Sequence, residues 1–460
     1  MGTSTSFSRR ALLKGGAAAV AGLALSGCDL RPFERLLAGE RDAVRQRLRS
    51  PGSRPFPRLP EGTDTLPEID HVLVVMLENH TYDNVLGMLR GRGEGFTLGP
   101  DGLPTASNPG PGGEVVHAFS MPNACQQVGH PYNTWDAGHQ SYADGAMDGF
   151  VLSASGPVAM GYLDEGVLPF TYSLARTYPL CDRYFSSVMA QTYPNRRYLM
   201  AGTSLGQVAD TLSVTAKPPN GTIFELLDAH GITWTNYYSS LPTIGIWTYL
   251  LEEPGIPGHL ASFDRFLADA AAGTLPAFAI VDPNFGTQSE EDPQDVQFGD
   301  DFLAQVVGAV TAGPAWRRTL LVWTYDEGGG YFDHVPPPPA PKPDDVPPDI
   351  TVPPDYPGGF DRYGFRVPSG IVSAYARPHH VSHTVYDHTS VLATLERKWN
   401  LPALTYRDAN ARDLLDCLDL HGPPRFLEPP VLAAPANAAA GAGCLSTGPG
   451  VIPPPSAVTG

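Results

Sequence analysis

The chain has 460 residues, including 49 Gly and 48 Pro, and its formal net charge at pH 7 is −18. The charge argues against nucleic acid as a partner and against electrostatic attachment to anionic lipid, because both need a basic surface. The length suits one large core or two modest ones, and the Gly and Pro content predicts long, loop-rich connections. An anionic substrate remains possible, since an acidic total does not exclude a locally positive pocket.

The N-terminal residues 1–28 have the features of an export segment. Residues 8–14 (SRRALLK) resemble a twin-arginine signal, and an apolar run follows over residues 17–25. Residues 25–28 (LSGC) resemble a bacterial lipobox, which predicts acylation of Cys28; an incidental cysteine at a small-residue cleavage site is the alternative. We therefore expect the twin-arginine translocase as a partner. The protein would be either anchored at the cell envelope through an acylated Cys28 or secreted.

Five cysteines are present without a CxxC pair, which argues against a structural zinc site. If Cys28 is set apart, the other four permit up to two disulfides in an oxidising compartment. The sequence leaves their pairing open.

Residues 29–66 are expected to form a tether and linker. A short helix is predicted from about Glu34 to Leu48, followed by an extended Pro-rich stretch. One large domain is predicted over residues 67–420. The Pro-, Ala- and Gly-rich tail, residues 421–460, is expected to be weakly ordered.

Two predicted strands end in acidic residues. The apolar run 69–77 is followed by Glu78, and the apolar run 320–325 by Asp326, Glu327 and three glycines. Chemistry in α/β sheets collects at the carboxyl ends of strands, and adjacent acids there are costly without a positive charge between them. The pattern therefore predicts a divalent cation. Taken alone, Glu78 fits equally well as a helix cap. The alternative for Asp326 and Glu327 is a solvated turn that ends the strand.

Thr192 lies ahead of a helix that we predict over residues 197–203. A hydroxyl at a helix N-terminus faces free amide donors and the positive end of the helix dipole, which favours an alkoxide and a bound phosphate. The alternative, a plain turn residue before Pro194, has equal support from these residues alone.

The other predicted elements alternate between strand and helix, which indicates an α/β fold with a largely parallel central sheet sandwiched by helices. The proline-dense residues 336–357 predict an irregular loop beside the site. The predicted helices are 168–178, 223–230, 263–272, 300–311 and 391–399, and the predicted strands are 232–238, 277–281 and 370–375.

In this order, the motifs resemble the bacterial phosphoesterase family that contains phospholipases C and acid phosphatase A, within the alkaline-phosphatase-like superfamily. The matching runs are ENHTYDNVLG (78–87), TYPNRRYLMAGTS (192–204), DPNF (282–285), TYDEGGGYFDHVPPP (324–338) and SHTVYDHTSVLATLE (382–396).

The resemblance implies an alkaline-phosphatase-like fold with long Pro/Gly-rich insertions and a hydroxyl nucleophile, Thr192. We expect Asn195 and Arg196 to bind the phosphate. One divalent metal ion is expected, held by Glu78, Asn79, Thr192, Asp326 and Glu327.

The sequence departs from the family at one position. Relatives often carry a histidine before a proline in the loop after the DPNF strand, and here Asp292 precedes Pro293. That histidine steadies a phosphate oxygen or protonates the leaving group, so another histidine is expected to supply its role. The candidates are His139, His334 and His383.

Together, residues and resemblance predict a metal-dependent phosphoester hydrolase. Our first expectation is a phospholipase C that cleaves phospholipid to diacylglycerol and a phosphorylated head group through a phosphothreonine. A broad acid phosphatase acting on monoesters is the alternative. A non-catalytic anchored lipoprotein is a third.

Overall fold

The computed structural model describes residues 48–121, 124–125, 131–212 and 216–436. The expected export segment, almost all of the predicted helix Glu34–Leu48 and the end of the tail lie outside these residues. Across the described ranges, no helix has the length and apolar character needed to cross a membrane.

A sheet of eight strands organises the fold, and two smaller two-stranded sheets accompany it. In chain order the strands are β1 (His71–Leu77), β2 (Ser107–Pro109), β3 (Val115–His117), β4 (Phe119–Ser120), β5 (Gly161–Tyr162), β6 (Leu180–Cys181), β7 (Trp234–Tyr238), β8 (Leu260–Ser262), β9 (Phe278–Asp282), β10 (Thr319–Tyr325), β11 (Ser369–Ser373) and β12 (Val381–Ser382).

The main sheet has the spatial order β12-β6-β11-β10-β1-β9-β7-β8. Strand β1 pairs in parallel with β10 and β9, and β7 pairs in parallel with β9 and β8. Strand β11 runs antiparallel to both of its neighbours, β10 and β6. The central strands are buried apolar runs, as expected where helices cover both faces. The prediction of a largely parallel α/β sheet is confirmed.

Helices connect and cover these strands. They are α1 (Tyr82–Leu86), α2 (Trp135–Tyr142), α3 (Pro169–Thr177), α4 (Thr192–Ala201), α5 (Ile223–Ala229), α6 (Thr248–Leu251), α7 (Phe263–Ala272), α8 (Val296–Ala312), α9 (Thr389–Trp399) and α10 (Tyr406–Asn410).

Helix α4 begins at Thr192, five residues before the predicted start at 197. Pro194 lies in the first helical turn, where the missing N–H would have had no partner within the helix. Thr192 is therefore the first helical residue rather than a residue in a preceding turn.

The compact unit begins at Ser50, so the second half of the expected linker belongs to it. The Asn400 side-chain amide donates hydrogen bonds to the carbonyls of Phe56, Leu59 and Pro60, each at 3.0 Å. Such polar anchoring leaves no apolar periodicity in the sequence, and the Pro-rich composition of residues 50–66 therefore predicts a linker where the structure has an anchored segment.

Cys181 and Cys417 are buried free thiols whose Sγ atoms lie 3.7 Å apart. Cys181 ends strand β6, and Cys417 lies in a short 3-10 helix, Leu414–Cys417. The structure thus brings together one pair of the cysteines whose pairing the sequence left open.

Candidate active site

The acidic ends of β1 and β10 meet because the two strands are neighbours in register. Leu77 and Tyr325 are paired at the ends of these parallel strands. Glu78 and Asp326 follow directly and leave the sheet side by side. Two runs that are 248 residues apart in sequence therefore bring their carboxylates to one point.

The loops that follow the two strands are held together by hydrogen bonds and close packing. Asn79 adopts the left-handed conformation, φ 69°, and its backbone N–H donates to Asp326 Oδ1 at 3.3 Å. Gly329 passes so close that a Cβ there would lie 1.9 Å from the Asn79 carbonyl oxygen. Asn133 Nδ2 donates to both Asn79 Oδ1 at 3.1 Å and Glu327 Oε1 at 2.8 Å. Asn133 thus orients two expected metal ligands, a role that the sequence did not suggest.

Arg196 is buried between carboxylates from three strand ends. Its Nε donates to Asp326 Oδ2 at 2.9 Å, and its Nη2 lies 3.4 Å from Glu78 Oε1. Its Nη1 donates to Thr243 Oγ1 at 3.2 Å and lies 4.0 Å from Asp282 Oδ1. The guanidinium is therefore engaged by the protein itself.

Asn195 is engaged in the same way. Its Nδ2 lies within 3.2 Å of three backbone carbonyls of residues 188–191, and its Oδ1 accepts from the Val188 N–H at 3.0 Å. We expected Asn195 and Arg196 to bind phosphate. Both make positioning contacts, which fix the start of α4 and the acids around it, and Arg196 also lines the cavity that contains Thr192, so phosphate binding by these residues stays a prediction.

The acids of this site, Glu78, Asp326 and Glu327, outnumber its one buried guanidinium, that of Arg196. Burial raises the pKa of Glu78 and of Glu327 well above the usual carboxyl range, and repulsion from Asp326 adds to both shifts, while Arg196 opposes the shift at Glu78. Burial also raises the pKa of Asp326, again opposed by Arg196. Glu78 Oε2 is buried without a hydrogen-bond partner among the described residues. The group is therefore short of a cation and rich in the oxygen ligands that hard divalent cations prefer.

Thr192 is buried at the N-terminus of α4 beside these acids. It and Glu78 line one cavity of about 360 Å³, and Arg196 lies one helical turn further on the same helix face. The expected nucleophile thus shares a cavity with Glu78, one of the expected metal ligands, whereas Glu327 lines a separate cavity. Other walls of the cavity include Tyr193, Asp210, Leu212, Leu241, Phe285 and Glu291.

A second group of possible metal ligands is formed by Asp83, Asp333 and His334, each of which offers one atom within 4.8 Å of the others. The buried Arg366 already donates from Nε to Asp333 Oδ1 at 2.9 Å and from Nη2 to Asp83 Oδ1 at 3.1 Å. The His334 N–H donates to Asp83 Oδ2 at 2.8 Å, and the Val335 N–H to Asp333 Oδ1 at 2.8 Å. Protein donors therefore fill this cluster.

Asp333 and His334, two members of this second group, have pKa values that are shifted from their usual range. Burial raises the pKa of Asp333 to about 6, with Arg366 opposing the rise. Burial alone would lower the pKa of His334, but its hydrogen bond to Asp83 Oδ2, at 2.6 Å, raises it overall.

The three expected histidines do not converge on Glu78 and Asp326. His334 is held by Asp83, and the exposed His383 has its Nδ1 2.9 Å from Asp182 Oδ1. The His139 Nδ1 lies 2.8 Å from the Trp135 carbonyl oxygen, and its ring packs on Trp135 with centroids 4.1 Å apart.

Two other histidines are buried next to the site. The His388 Nε2 lies 2.6 Å from the Asp326 carbonyl oxygen, and His80 stacks on Tyr331 with ring centroids 5.3 Å apart. Burial lowers the pKa of each to about 4, so both are neutral at pH 7. Tyr331 in turn donates to Asp292 Oδ2 at 3.2 Å. In the sequence, the only signal for His80 and His388 was their position inside the runs ENH and DHTS.

Comparison with known proteins is consistent with this geometry. A model of the phosphoesterase family matches residues 69–402. A non-hemolytic phospholipase C from Pseudomonas aeruginosa is 30% identical over 78% of this chain, which spans only 58% of that relative's length. Non-specific phospholipase C6 from Arabidopsis thaliana is 31% identical, with 78% of this chain and 73% of the relative covered.

Among solved structures, a protein of the alkaline phosphatase superfamily from Vibrio parahaemolyticus matches with a TM-score of 0.38 and 14% identity, over 73% of this chain and 78% of that chain.

Proposed function

The chain belongs to the phosphoesterase family, and from that premise we propose that it is a metal-dependent phosphoester hydrolase of the phospholipase C type with Thr192 as its nucleophile. One observation carries the proposal. Thr192 and Glu78 line the same cavity, next to buried acids that Arg196 alone does not neutralise.

One divalent cation would be held by oxygen ligands from two strand ends and the start of α4. The unpartnered Glu78 Oε2 and the raised pKa values of the acids support this fit. Such a cation, when bound, lowers the pKa of a hydroxyl and neutralises charge on phosphate oxygens. The ligands in this proposal are Glu78, Asn79, Thr192, Asp326 and Glu327.

The residues of the site have different roles in the proposed reaction. The Thr192 oxygen attacks phosphorus in line, so that a new O–P bond forms while the bond to the alcohol breaks; the proton that the Thr192 hydroxyl loses balances the one that the leaving alcohol gains. Its place at a helix N-terminus favours the alkoxide and the developing phosphate charge. Arg196 and Asn133 act as positioning residues, because they hold the carboxylates and Asn79 in place. Water hydrolyses the resulting phosphothreonine.

The charge of the cavity favours a diester over a monoester. Asp210 and Glu291 line the cavity together with Glu78. A phosphodiester carries one negative charge at neutral pH and a monoester approaches two, so repulsion by these acids is weaker for the diester. The phospholipase C function is therefore the better supported one, and acid phosphatase activity is the alternative.

The test offers the purified full chain phosphatidylcholine and p-nitrophenyl phosphate in parallel, with and without a chelator. We expect diacylglycerol release that stops with the chelator and returns when a divalent metal is added. Phosphate release from the monoester alone would support the acid phosphatase. Turnover of neither ester would contradict the proposed function.

We also propose that residues 1–28 direct export by the twin-arginine route and that Cys28 is acylated. The motifs at residues 8–14 and 25–28 support this. In a bacterial host, replacement of Arg9 and Arg10 by Lys should retain the protein in the cytoplasm, and Cys28→Ala should release it from the membrane fraction. An unchanged distribution in both variants would contradict the proposal.

A further inference from the structure

We propose that Leu212, Leu241 and Leu251 form an apolar rim that receives the acyl-glycerol part of a phospholipid while its phosphate lies at Thr192. This inference rests on the proposed function and goes beyond it, because it says which surface engages the hydrophobic leaving group.

All three leucines line the cavity that contains Thr192 and Glu78. Their exposed fractions are 53%, 67% and 48%, respectively. Single exposed leucines are common on protein surfaces, but a group around one mouth is a feature of binding sites. Ile246 and Phe285 continue the apolar wall of the same cavity. The cavity thus combines an apolar mouth with acids and Thr192, which matches the two parts of a phospholipid.

The segment that carries Leu241 is fixed to the catalytic frame. The Thr243 N–H donates to Asp282 Oδ2 at 2.7 Å, and its hydroxyl donates to Asp282 Oδ1 at 2.6 Å. Thr243 Oγ1 also accepts from Arg196, the residue that holds Asp326. A segment anchored in this way does not rearrange freely to bury Leu241. The part of the rim that carries Leu241 is therefore preorganised, and binding does not have to order it first.

The charge of the protein identifies the occupant further. With a net charge of −18, the surface offers no general attraction to anionic lipid. Apolar contact is then the main force available for drawing a lipid substrate to the cavity. Because the rim is continuous with the cavity of Thr192, its occupant is the part of the substrate that leaves with the alcohol oxygen, namely the diacylglycerol.

The test compares two esters that share the phosphocholine group, long-chain phosphatidylcholine in vesicles and soluble p-nitrophenylphosphorylcholine. The double variant Leu241→Ser/Leu251→Ser in the full chain should lower the ratio of kcat/KM on the lipid to that on the soluble ester about tenfold, because apolar area that the lipid would cover is lost. The matched control is Leu103→Ser, which replaces a leucine with a similar exposed fraction, 56%, that does not line the cavity. Its ratio should stay within about twofold of wild type.

The outcomes separate this inference from the proposed function. An unchanged ratio in the double variant would overturn the rim, whereas no turnover of either ester by the wild type would overturn the function itself. Co-sedimentation with phosphatidylcholine vesicles gives a second readout, in which the double variant should bind less than Leu103→Ser. If instead the wild type forms a dimer that the double variant loses, with no change in the ratio, the rim is a contact between copies of the chain and the inference is wrong.

Discussion

Two buried acidic clusters are built from the segments that follow β1 and β10, and they differ in how their charge is compensated. Around Asp326, backbone amides also donate to the carboxylates, but the one guanidinium, that of Arg196, serves several acids, and Glu78 Oε2 has no partner among the described residues. Around Asp83 and Asp333, Arg366 makes two ion pairs, and backbone amides add further donors. The comparison teaches that a set of ligand types close in space does not define a cation site. What distinguishes the Asp326 cluster is its shortage of positive charge, since Arg196 is shared by Glu78 and Asp326, whereas Asp83 and Asp333 have both Arg366 and His334.

We call these the Asp326 cluster (Glu78, Asp326, Glu327 and Arg196) and the Asp83 cluster (Asp83, Asp333, His334 and Arg366). In our account the Asp326 cluster holds the cation and works with Thr192. The Asp83 cluster stabilises the loop after β10.

The largest expected effect is on catalysis. Thr192→Ala removes the nucleophile and should lower kcat by roughly a thousandfold or more. Thr192→Ser keeps a hydroxyl and should retain a measurable fraction of the activity. Steady-state rates on phosphatidylcholine measure both variants, with circular dichroism to check that each is folded. Full activity in Thr192→Ala would remove the nucleophile from the mechanism.

The next effect is on stability, and it belongs to the Asp83 cluster. Arg366→Leu leaves Asp83 and Asp333 buried without their cation, which should cost about 3–5 kcal/mol of unfolding free energy. Arg362→Leu is the matched control, because Arg362 is half-buried and donates to one backbone carbonyl, that of Pro337. Urea unfolding followed by fluorescence gives the difference. If added divalent metal restores the stability of Arg366→Leu, the Asp83 cluster is itself a cation site.

Replacing Glu78 in the metal-free protein should change the unfolding free energy less than Arg366→Leu does, and not in the destabilising direction. Burial raises the pKa of Glu78, so the folded chain keeps that proton to higher pH than the unfolded chain and the charge costs stability as pH rises. Glu78→Gln should therefore leave the metal-free protein equally stable at pH 7 or raise its unfolding free energy by up to about 1 kcal/mol.

Asp83→Asn, measured under the same conditions, should instead destabilise by about 3 kcal/mol, because Arg366 and His334 lose a partner. Equal losses in Glu78→Gln and Asp83→Asn would mean that the two clusters do not differ.

The smallest effect is a pH dependence. His334 has a raised pKa in the folded protein, so its contribution to stability is complete below the unfolded value of about 6.5 and is lost as pH rises through the folded value. The His334→Gln variant should lose stability relative to wild type at pH 6, and the loss should shrink toward pH 9. Because a third of the side chain is exposed, we expect less than about 1 kcal/mol. A loss that grows with pH would contradict the assignment.

Much of the frame of the site could be predicted from the sequence. The apolar runs before Glu78 and Asp326 are long enough to be buried strands, and acids directly after such strands lie at the carboxyl edge of the sheet. The register of Leu77 with Tyr325 then brings them together. An apolar run followed directly by acids is a local sequence pattern, and it favours one structure, a buried strand with the acids at its carboxyl end.

The partners of these acids could not be predicted in the same way. Arg196 and Asn195 stand next to the nucleophile in sequence, yet their side chains turn toward strand ends and loop carbonyls. Asn133 and His388 reach the site from loops far away along the chain. Such contacts depend on long-range packing, which leaves no periodic signal in the sequence.

The central claim, that the cation belongs to the Asp326 cluster, is tested most directly by metal content. The full chain, loaded with a divalent metal and desalted, would be analysed by elemental analysis alongside Asp326→Asn and Asp333→Asn. We predict one ion per chain in the wild type and in Asp333→Asn, and none in Asp326→Asn. Metal retained by Asp326→Asn and lost from Asp333→Asn would contradict the account.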